Sequence, residues 1–560
     1  MYKVKSLLIL SGIVFAGLII PIFFLILGIS FFPEIGKPTI TFLGLITSAG
    51  FGLIVGNTLE FAIGHAVLAV ALAIVYAWIV ARTDIPGKRI FELLPILELT
   101  MPLEVKAFAW TFLLDPRAGI LNRMAKVLFG SGVPVFDIYS MSGLIFVAGM
   151  GGVGLAYIVI LPAMKSIGPE LEEASKVAGK GMLRTLYSIT LRLLLPAIGS
   201  AFFLLVIGGL NNFDYPLIIG QPAGIQVLAT DVYFYTSELL PPSYGSAGVV
   251  SIFYVAMALV GVSLYIWVTR RTYRFTTVTG KSSQLHPFKL RKWKPVALAV
   301  CVIILFLGFG LPFLSIILVS TTNIYLSASL SNIVVTFPKY FNLLGSVSGL
   351  YQSLNTTLIM GFGAAFGSTV VGLLLSFAAL KSRARGGRVI EYITSIPLAF
   401  PGIVYSVALF WTLLLLPGVN IFYGTIYPMI IALAFIRLPY SSRIISGNLV
   451  QISNELEEAS QVGGSGFTRT LTRISLPLIK DGILFSFVYT LIDSLRELGG
   501  VILLSTGGAV AFTVVLLNYY EATVLSAPVI AAGSVLLTTI IIVILAILFT
   551  IVHFWGRRPA

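Results

Sequence analysis

An all-α polytopic membrane protein with about twelve transmembrane helices, in two parallel six-helix repeats, is the fold this sequence predicts. Three observations predict it. Hydrophobic residues fill 58% of 560 positions against 10% charged, and the mean hydropathy is +1.01, more apolar surface than a soluble core can bury. The apolar residues fall into runs of the ~20 needed for a helical span. One polar segment, residues 170–191, returns at 455–476 with 14 of 22 positions identical. Six spans per repeat is an even number, which gives both copies one orientation.

In order, the spans run near 7–30, 55–80, 91–114, 142–164, 197–219 and 246–269, then 297–320, 355–380, 390–415, 425–446, 481–504 and 528–554. The first follows Lys3 and Lys5, is too long and wrongly flanked for a cleaved signal, and reads as a signal anchor. With the N-terminus inside, the cytoplasmic segments hold 28 of the 36 Lys and Arg residues, the positive-inside bias. That places the chain in the cell (plasma) membrane, multi-pass, with both termini cytoplasmic. The net charge of +14 is spread over loops rather than gathered on one face. It therefore suits anionic lipid headgroups and excludes a nucleic-acid partner. Cys301 is the one cysteine, inside span seven, and reads as packing. His65, His286 and His553 are far apart, so no metal cluster is expected.

Two further anchors support the duplication. Asn57-Thr58 recurs as Asn355-Thr356 at an offset of 298, and Arg89, Glu92 and Pro102 recur as Arg388, Glu391 and Pro401 at 299. The first half is residues 1–275, a basic cytoplasmic linker 276–295 follows, and the second half is 296–560. The offset falls to 285 at the polar segments, so the first half carries 14 extra residues, placed in the external loop 115–140. There Ile120, Leu121, Met124, Val127 and Leu128 fall on helical spacing, predicting a short amphipathic helix. It either meets an extracellular protein or covers the outer ends of the spans.

The duplicated segment reads as helix, glycine turn, helix. Pro169 fits the first helical position after Gly168, Ser453 is the matching cap in copy two, and Glu170, Glu172 and Glu173 suit the positive end of the helix dipole. Glu455, Glu457 and Glu458 repeat them. Gly179 and Gly464 permit a left-handed exit. The patterns Glu173-Ala174-Ser175-x3-Gly179 and Glu458-Ala459-Ser460-x3-Gly464 resemble the EAA loop of ABC-importer permeases, here 170–196 and 455–481. The second copy closes on Leu476-Pro477 as that pattern does. The first has Arg192 instead and Pro196 one turn on, which leaves the start of the following span open. The resemblance implies a type I importer fold. It also implies that Glu172, Glu173, Ala174, Gly179, Glu457, Glu458, Ala459 and Gly464 couple to a homodimer of ATP-binding subunits, and that an extracellular substrate-binding protein delivers the cargo. A surface helix duplicated with its domain is the plainer alternative.

Ionisable groups inside a span cost ~2.5–3.5 kcal/mol each on insertion scales and need a reason. Asp493, Arg496 and Glu497 fall near the middle of span eleven at spacings that share one helix face. At the 285 offset, Arg496 and Glu497 correspond to Asn211 and Asn212, with Asp214 close by. These six line the expected translocation path, unless Asp493–Arg496 is only an intrahelical pair and the asparagines only bond between helices. In span three, Glu98, Glu104 and Lys106 align with Pro397, Ile403 and Tyr405 of the second half, an asymmetry that could ease a cation through. Solvation at the outer mouth is the other reading for Glu104 and Lys106. No catalytic constellation, metal site or cofactor is expected. Gly280-Lys281-Ser282 lacks the first glycine of a phosphate loop, so ATP hydrolysis belongs on a separate subunit and the chain is not itself an enzyme.

The stretch Asn212-Phe213-Asp214-Tyr215-Pro216 and the turn Pro241-Pro242-Ser243-Tyr244-Gly245 look like ferric-iron permeases. Arg496-Glu497-Leu498 is a looser match, and Gly499-Gly500 departs from it. Gly119-Ile120-Leu121-Asn122 resembles a turn of iron and polyamine permeases. The implied cargo is a small molecule or ion, iron(III) first, with thiamine or a polyamine as alternatives. A 6+6 ion-coupled secondary transporter would share the repeat but needs no coupling loops, and a membrane scaffold would need neither.

Overall fold

The computed structural model of this chain describes residues 12, 42–130, 135–179, 181–272, 288–325, 334–335, 349–381, 390, 394–452, 454–522 and 526–555. Every named element in them is helical. Among the described residues eight helices are long and apolar enough to cross a membrane, and a ninth counts if Leu471–Leu478 and Lys480–Leu495, bent by 62°, form one span. The predicted run 7–30 lies outside the described residues.

Helix α1 (Ala49–Arg82) starts where the Ser48 side chain accepts a hydrogen bond from the Phe51 N–H at 3.2 Å, satisfying one of the unpaired donors of a helix start. The third predicted span is not one helix. It divides into Lys88–Leu93, Pro95–Glu98 and α2 (Leu103–Leu114). Proline biases the residue before it out of the helical region, and Pro102 stands at the new N-cap with ψ 151°. Next come α3 (Ile120–Phe129), α4 (Met141–Ser166), α5 (Pro169–Val177), α6 (Leu191–Leu210) and α7 (Tyr244–Thr272). In the second half, α8 (Lys294–Leu305) and α9 (Leu311–Thr321) are joined by one π-helical turn, followed by α10 (Leu350–Lys381). Then α11 (Gly402–Leu415), α12 (Tyr427–Leu449), α13 (Asn454–Val462), α14 (Lys480–Leu495), α15 (Phe512–Ala522) and α16 (Ala527–Trp555) complete the chain.

The boundaries of two further predicted spans are corrected. Span five begins earlier than 197, through a π turn at Leu186–Thr190, and stops at Leu210 rather than 219. Pro196 sits inside α6 without breaking it, whereas Pro477 in copy two is followed by the bend at Ile479. Span eleven stops at Leu495, not 504.

The same three-helix arrangement occurs twice. Helix α1 packs on α4 and α6, which pack on each other; α10 packs on α12 and α14, which do likewise. Around these groups the two halves share an apolar core, in which buried Phe108 and Tyr254 of the first half join Tyr405 and Phe512 of the second. Helix α9 lies against α2 and α16, and the Ser315 hydroxyl donates to the Ala109 carbonyl at 3.2 Å. The first half is thus stitched to the second by packing and by polar bonds.

The amphipathic helix expected in the 115–140 loop is α3. Ile120 is buried, but Met124, Val127 and Leu128 are exposed, so only part of the predicted apolar stripe is seated. The loop is held instead by Asn122. Its amide donates to the carbonyls of Leu114, Asp115 and Phe136 at 3.1, 3.0 and 2.8 Å and accepts from the Phe136 N–H at 3.0 Å. Gly119 has no alternative, since a Cβ there would lie 2.4 Å from the Asp115 carbonyl oxygen. Asn122→Ala takes the partner from the Phe136 amide and a donor from three carbonyls, of which that of Asp115 keeps another, the Gly119 N–H at 2.9 Å. At ~1–3 kcal/mol for a buried group left unsatisfied, we expect faster amide exchange across 135–140 and a lowered melting temperature.

Only the end of the 276–295 linker falls on described residues. That end is tied to the start of the 82–89 loop. The Phe288 N–H donates to Arg82 O at 2.8 Å, the Leu290 N–H to Asp84 Oδ1 at 2.9 Å, and Lys294 Nζ lies 2.9 Å from Asp84 Oδ2. The Leu290 amide and the Lys294 ammonium hold the Asp84 carboxyl below its usual range.

Candidate functional site

Both polar segments fold as expected from their glycines. Helix α5 passes through Gly179, φ +76°, into Met182–Thr185, and α13 passes through Gly464, φ +80°, into Phe467–Thr470. Each elbow is closed by the same hydroxyl pair, Ser175–Thr185 and Ser460–Thr470, both at 2.9 Å. Each also presents the same two apolar side chains to solvent. Leu171 and Leu456 are 50% and 49% exposed, and Val177 and Val462 are both 90% exposed. A polar helix that leaves its valine outside, twice, has a surface with something to bury.

The acidic residues of the first elbow divide in two. Glu173 is exposed, with Ala174 and Gly179 beside it. Glu172 is buried, 3.4 Å from Arg82 Nε, and accepts from the Thr190 hydroxyl at 2.9 Å. Arg82 also donates to the Met164 and Ile167 carbonyls at 2.7 and 3.0 Å. Glu172 therefore fastens the elbow to the bundle. In copy two Ala459 and Gly464 are exposed, while the side chains of Glu457 and Glu458, like Ser453, Arg388 and Glu391, lie outside the described set.

The second feature is a cavity of about 220 Å³. Six of the seven sequence-predicted pathway residues line it: Asn211, Asn212, Asp214, Asp493, Arg496 and Glu497. Their setting is not mid-helix, as expected for span eleven. Helix α14 ends at Leu495, Arg496 occupies the C-cap, and Glu497 lies beyond it. Helix α6 ends at Leu210 with Asn211 at its C-cap. Predicted span nine is broken as span three is, a 3-10 turn at Ile396–Ala399 preceding α11 with Pro401 at its N-cap. Leu99, Leu398 and Phe400 line the same cavity beside these two breaks. Four interrupted helices thus converge there. Non-helical backbone at membrane depth is tolerated only where protein buries it or a polar cavity receives it.

The breaks are cross-linked reciprocally. Arg496 Nη1 donates to the Leu99 carbonyl at 2.6 Å, and Asn211 Nδ2 to the Leu398 carbonyl at 3.4 Å. Asn211 and Arg496 are related by the 285 offset, and Leu99 and Leu398 by the 299 offset. Each half caps a helix end and, with the same residue, reaches the broken span of the other, the signature of a twofold-related interface.

The expected Asp493–Arg496 pair is present at 2.6 Å, but Asp493 is shared. Arg437, buried in α12, lies 2.8 Å from Asp493 Oδ2 and also pairs with Glu497. Arg437 went unread in the sequence, although an arginine in the middle of an apolar span is itself the signal that a carboxylate partner exists. Glu98, the seventh residue, ends the helix Pro95–Glu98, accepts from the Gly154 N–H at 2.7 Å and lies 3.8 Å from Lys106. Glu104 and Lys106 are buried rather than solvated at a mouth. A second, larger cavity of about 670 Å³ lies away from the breaks, lined by Asp115, Asp137, Tyr139 and Tyr520 among others. Among the described residues no group of three or more His, Cys, Asp or Glu is placed to hold a metal.

Residues 73–274 and 368–557 each match the family model of the binding-protein-dependent transport system inner membrane component. The chain is similar to the ferric transport system permease protein FbpB of Actinobacillus pleuropneumoniae, 28% identical over 447 residues, covering 79% of this chain and 62% of that protein. It is also similar to a putative ferric transport system permease protein, FbpB 1, of Haemophilus influenzae, 29% identical over 457 residues, covering 80% and 69% respectively. The chain thus spans less than two thirds of the first relative's length. A solved bacterial ABC transporter involved in the import of alginate shares 21% identity over 49% of this chain and 96% of that one, at a TM-score of 0.39.

Proposed function

Since this chain belongs to the family of binding-protein-dependent transport system inner membrane components, we propose that it is the membrane permease of an ATP-driven importer for iron(III). The two elbows are its coupling helices, and one ATP-binding subunit of a homodimer grips each. Closure of that dimer draws the elbows together and tips the two repeats about their shared interface, moving the cavity from one face of the membrane to the other. An extracellular binding protein delivers the cargo. Residues 1–275 and 296–560 act as the two moving bodies, with N- and C-termini on the cytoplasmic side.

The observation that carries this reading is the pair of elbows with matched glycine turns, matched hydroxyl locks and matched exposed valines. A carrier driven by an ion gradient has no use for such a handle. The cargo is supported by the ferric permeases among the relatives and by the acidic residues around the cavity. In cells expressing the chain with its neighbouring genes, uptake of radiolabelled ferric iron should stop on ATP depletion with the ion gradient kept intact. Uptake that survives contradicts the importer reading. ATP-dependent uptake of thiamine or spermidine instead of iron corrects the cargo alone.

A further inference from the structure

The two halves of the central cavity are chemically unlike. On the second-repeat side every charge has a partner: Arg437 pairs with Asp493 and Glu497, and Arg496 with Asp493. On the first-repeat side several oxygens have none. Both carboxylate oxygens of Glu104, Oδ1 of Asp214 and the Tyr215 hydroxyl are buried without a hydrogen-bond partner. Glu104 is fully buried, and Asp214 and Tyr215 are 7% and 2% exposed. Asp214 and Tyr215 line the cavity. Glu104 sits one residue past the lining Leu103 and has Asp214 among its electrostatic neighbours, while those of Tyr215 include both Glu104 and Asp214.

A buried oxygen without a donor is costly, and an unpaired buried carboxylate far more so, unless a proton or a cation joins it. The repeat removes the bland explanation that the fold needs these groups. At the corresponding offsets stand Ile403, Gly499 and Gly500, and the second half closes without them. Around the cavity five carboxylates (Glu98, Glu104, Asp214, Asp493 and Glu497) meet three cations (Lys106, Arg437 and Arg496), so the surplus is negative and falls on the first repeat.

We propose that Glu104, Asp214 and Tyr215 form a single, one-sided transit station for a hard, oxygen-seeking cation. The proposal rests on the importer reading and names the residues that would meet its cargo in transit. All three donors are oxygens, which select hard cations over soft ones. Two carboxylates and a phenol, fewer than a resident metal site uses, bind loosely enough to let the ion leave, and a pathway must release what it holds. Arg496, an electrostatic neighbour of both Glu104 and Tyr215, weakens the hold further.

The test titrates terbium(III), a hard cation whose emission is sensitised by nearby tyrosine, into the purified full-length chain in neutral-lipid nanodiscs. The parent should show one saturable component per chain. Glu104→Gln and Asp214→Asn should weaken it at least tenfold, Tyr215→Phe should dim the sensitised emission, and Asp115→Asn at the larger cavity should leave it unchanged. A parent without a saturable component, or three variants that titrate like the parent, overturns the proposal. Should the carboxylate variants fail to fold, Tyr215→Phe, which removes one atom, decides alone. The titration uses no ATPase, so failure of the elbows to couple would leave it untouched, and the two readings fail separately.

Discussion

Replacing Arg437 with leucine should destabilise the protein more than any other single change at the cavity. The guanidinium lies 2.8 Å from Asp493, also pairs with Glu497, and donates to the Asp493 carbonyl at 3.1 Å, with the side chain 9% exposed. Without it Asp493 keeps Arg496, but Glu497 keeps only the Gly500 N–H at 2.8 Å. Breaking a buried pair by removing one partner costs about 3–5 kcal/mol, because the other charge is left unpaired. The expected result is a clear drop in melting temperature and loss of uptake. Arg437→Leu with Glu497→Gln should recover part of the stability, since the stranded charge is then gone. A single variant that melts like the parent would show that the network contributes nothing net.

The second large effect is expected where the fold loses nothing. Val177 and Val462 are each 90% exposed, so Val177→Asp and Val462→Asp should leave the melting temperature unchanged. If both are buried against a partner, each substitution should cost about 2 kcal/mol or more of docking energy, some thirtyfold in affinity. The double variant should lose ATP-driven uptake and no longer hold the ATPase during purification. Each single variant should retain part of both. Unchanged uptake in the double variant would mean that the valines face only water. Glu172→Gln provides a contrast. It unfastens the elbow from Arg82 and Thr190, and should lower stability as well as coupling.

What could be read from the sequence was local or periodic. Apolar runs mark spans because lipid demands helices. The elbows stood out as polar islands, and Gly179 and Gly464 take the positive φ that their place after a helix implies. The helix ends at the cavity were not legible, because contacts remote in sequence produce them. Nothing near Arg496 says that its guanidinium will cap a break by reaching Leu99, 397 residues earlier. Glu98 and Lys106 illustrate the same limit. Eight residues on a continuous helix rise about 12 Å, yet the break at Pro102 brings the charges to 3.8 Å. The residues that line the cavity could be chosen by charge and repeat symmetry, whereas their partners Arg437 and Leu398 come from other spans.

The claim on which the rest depends is that both elbows lie on the cytoplasmic face and are gripped there by a separate ATPase. Cys301 is the one cysteine and is buried, so Val177→Cys and Val462→Cys each place a single accessible thiol on the chain. A membrane-impermeant thiol reagent should label both in inverted vesicles, label neither in right-side-out vesicles, and be blocked at both by added ATPase subunit. Labelling of either position from the outside, or labelling from the inside that the ATPase does not protect, would contradict the account.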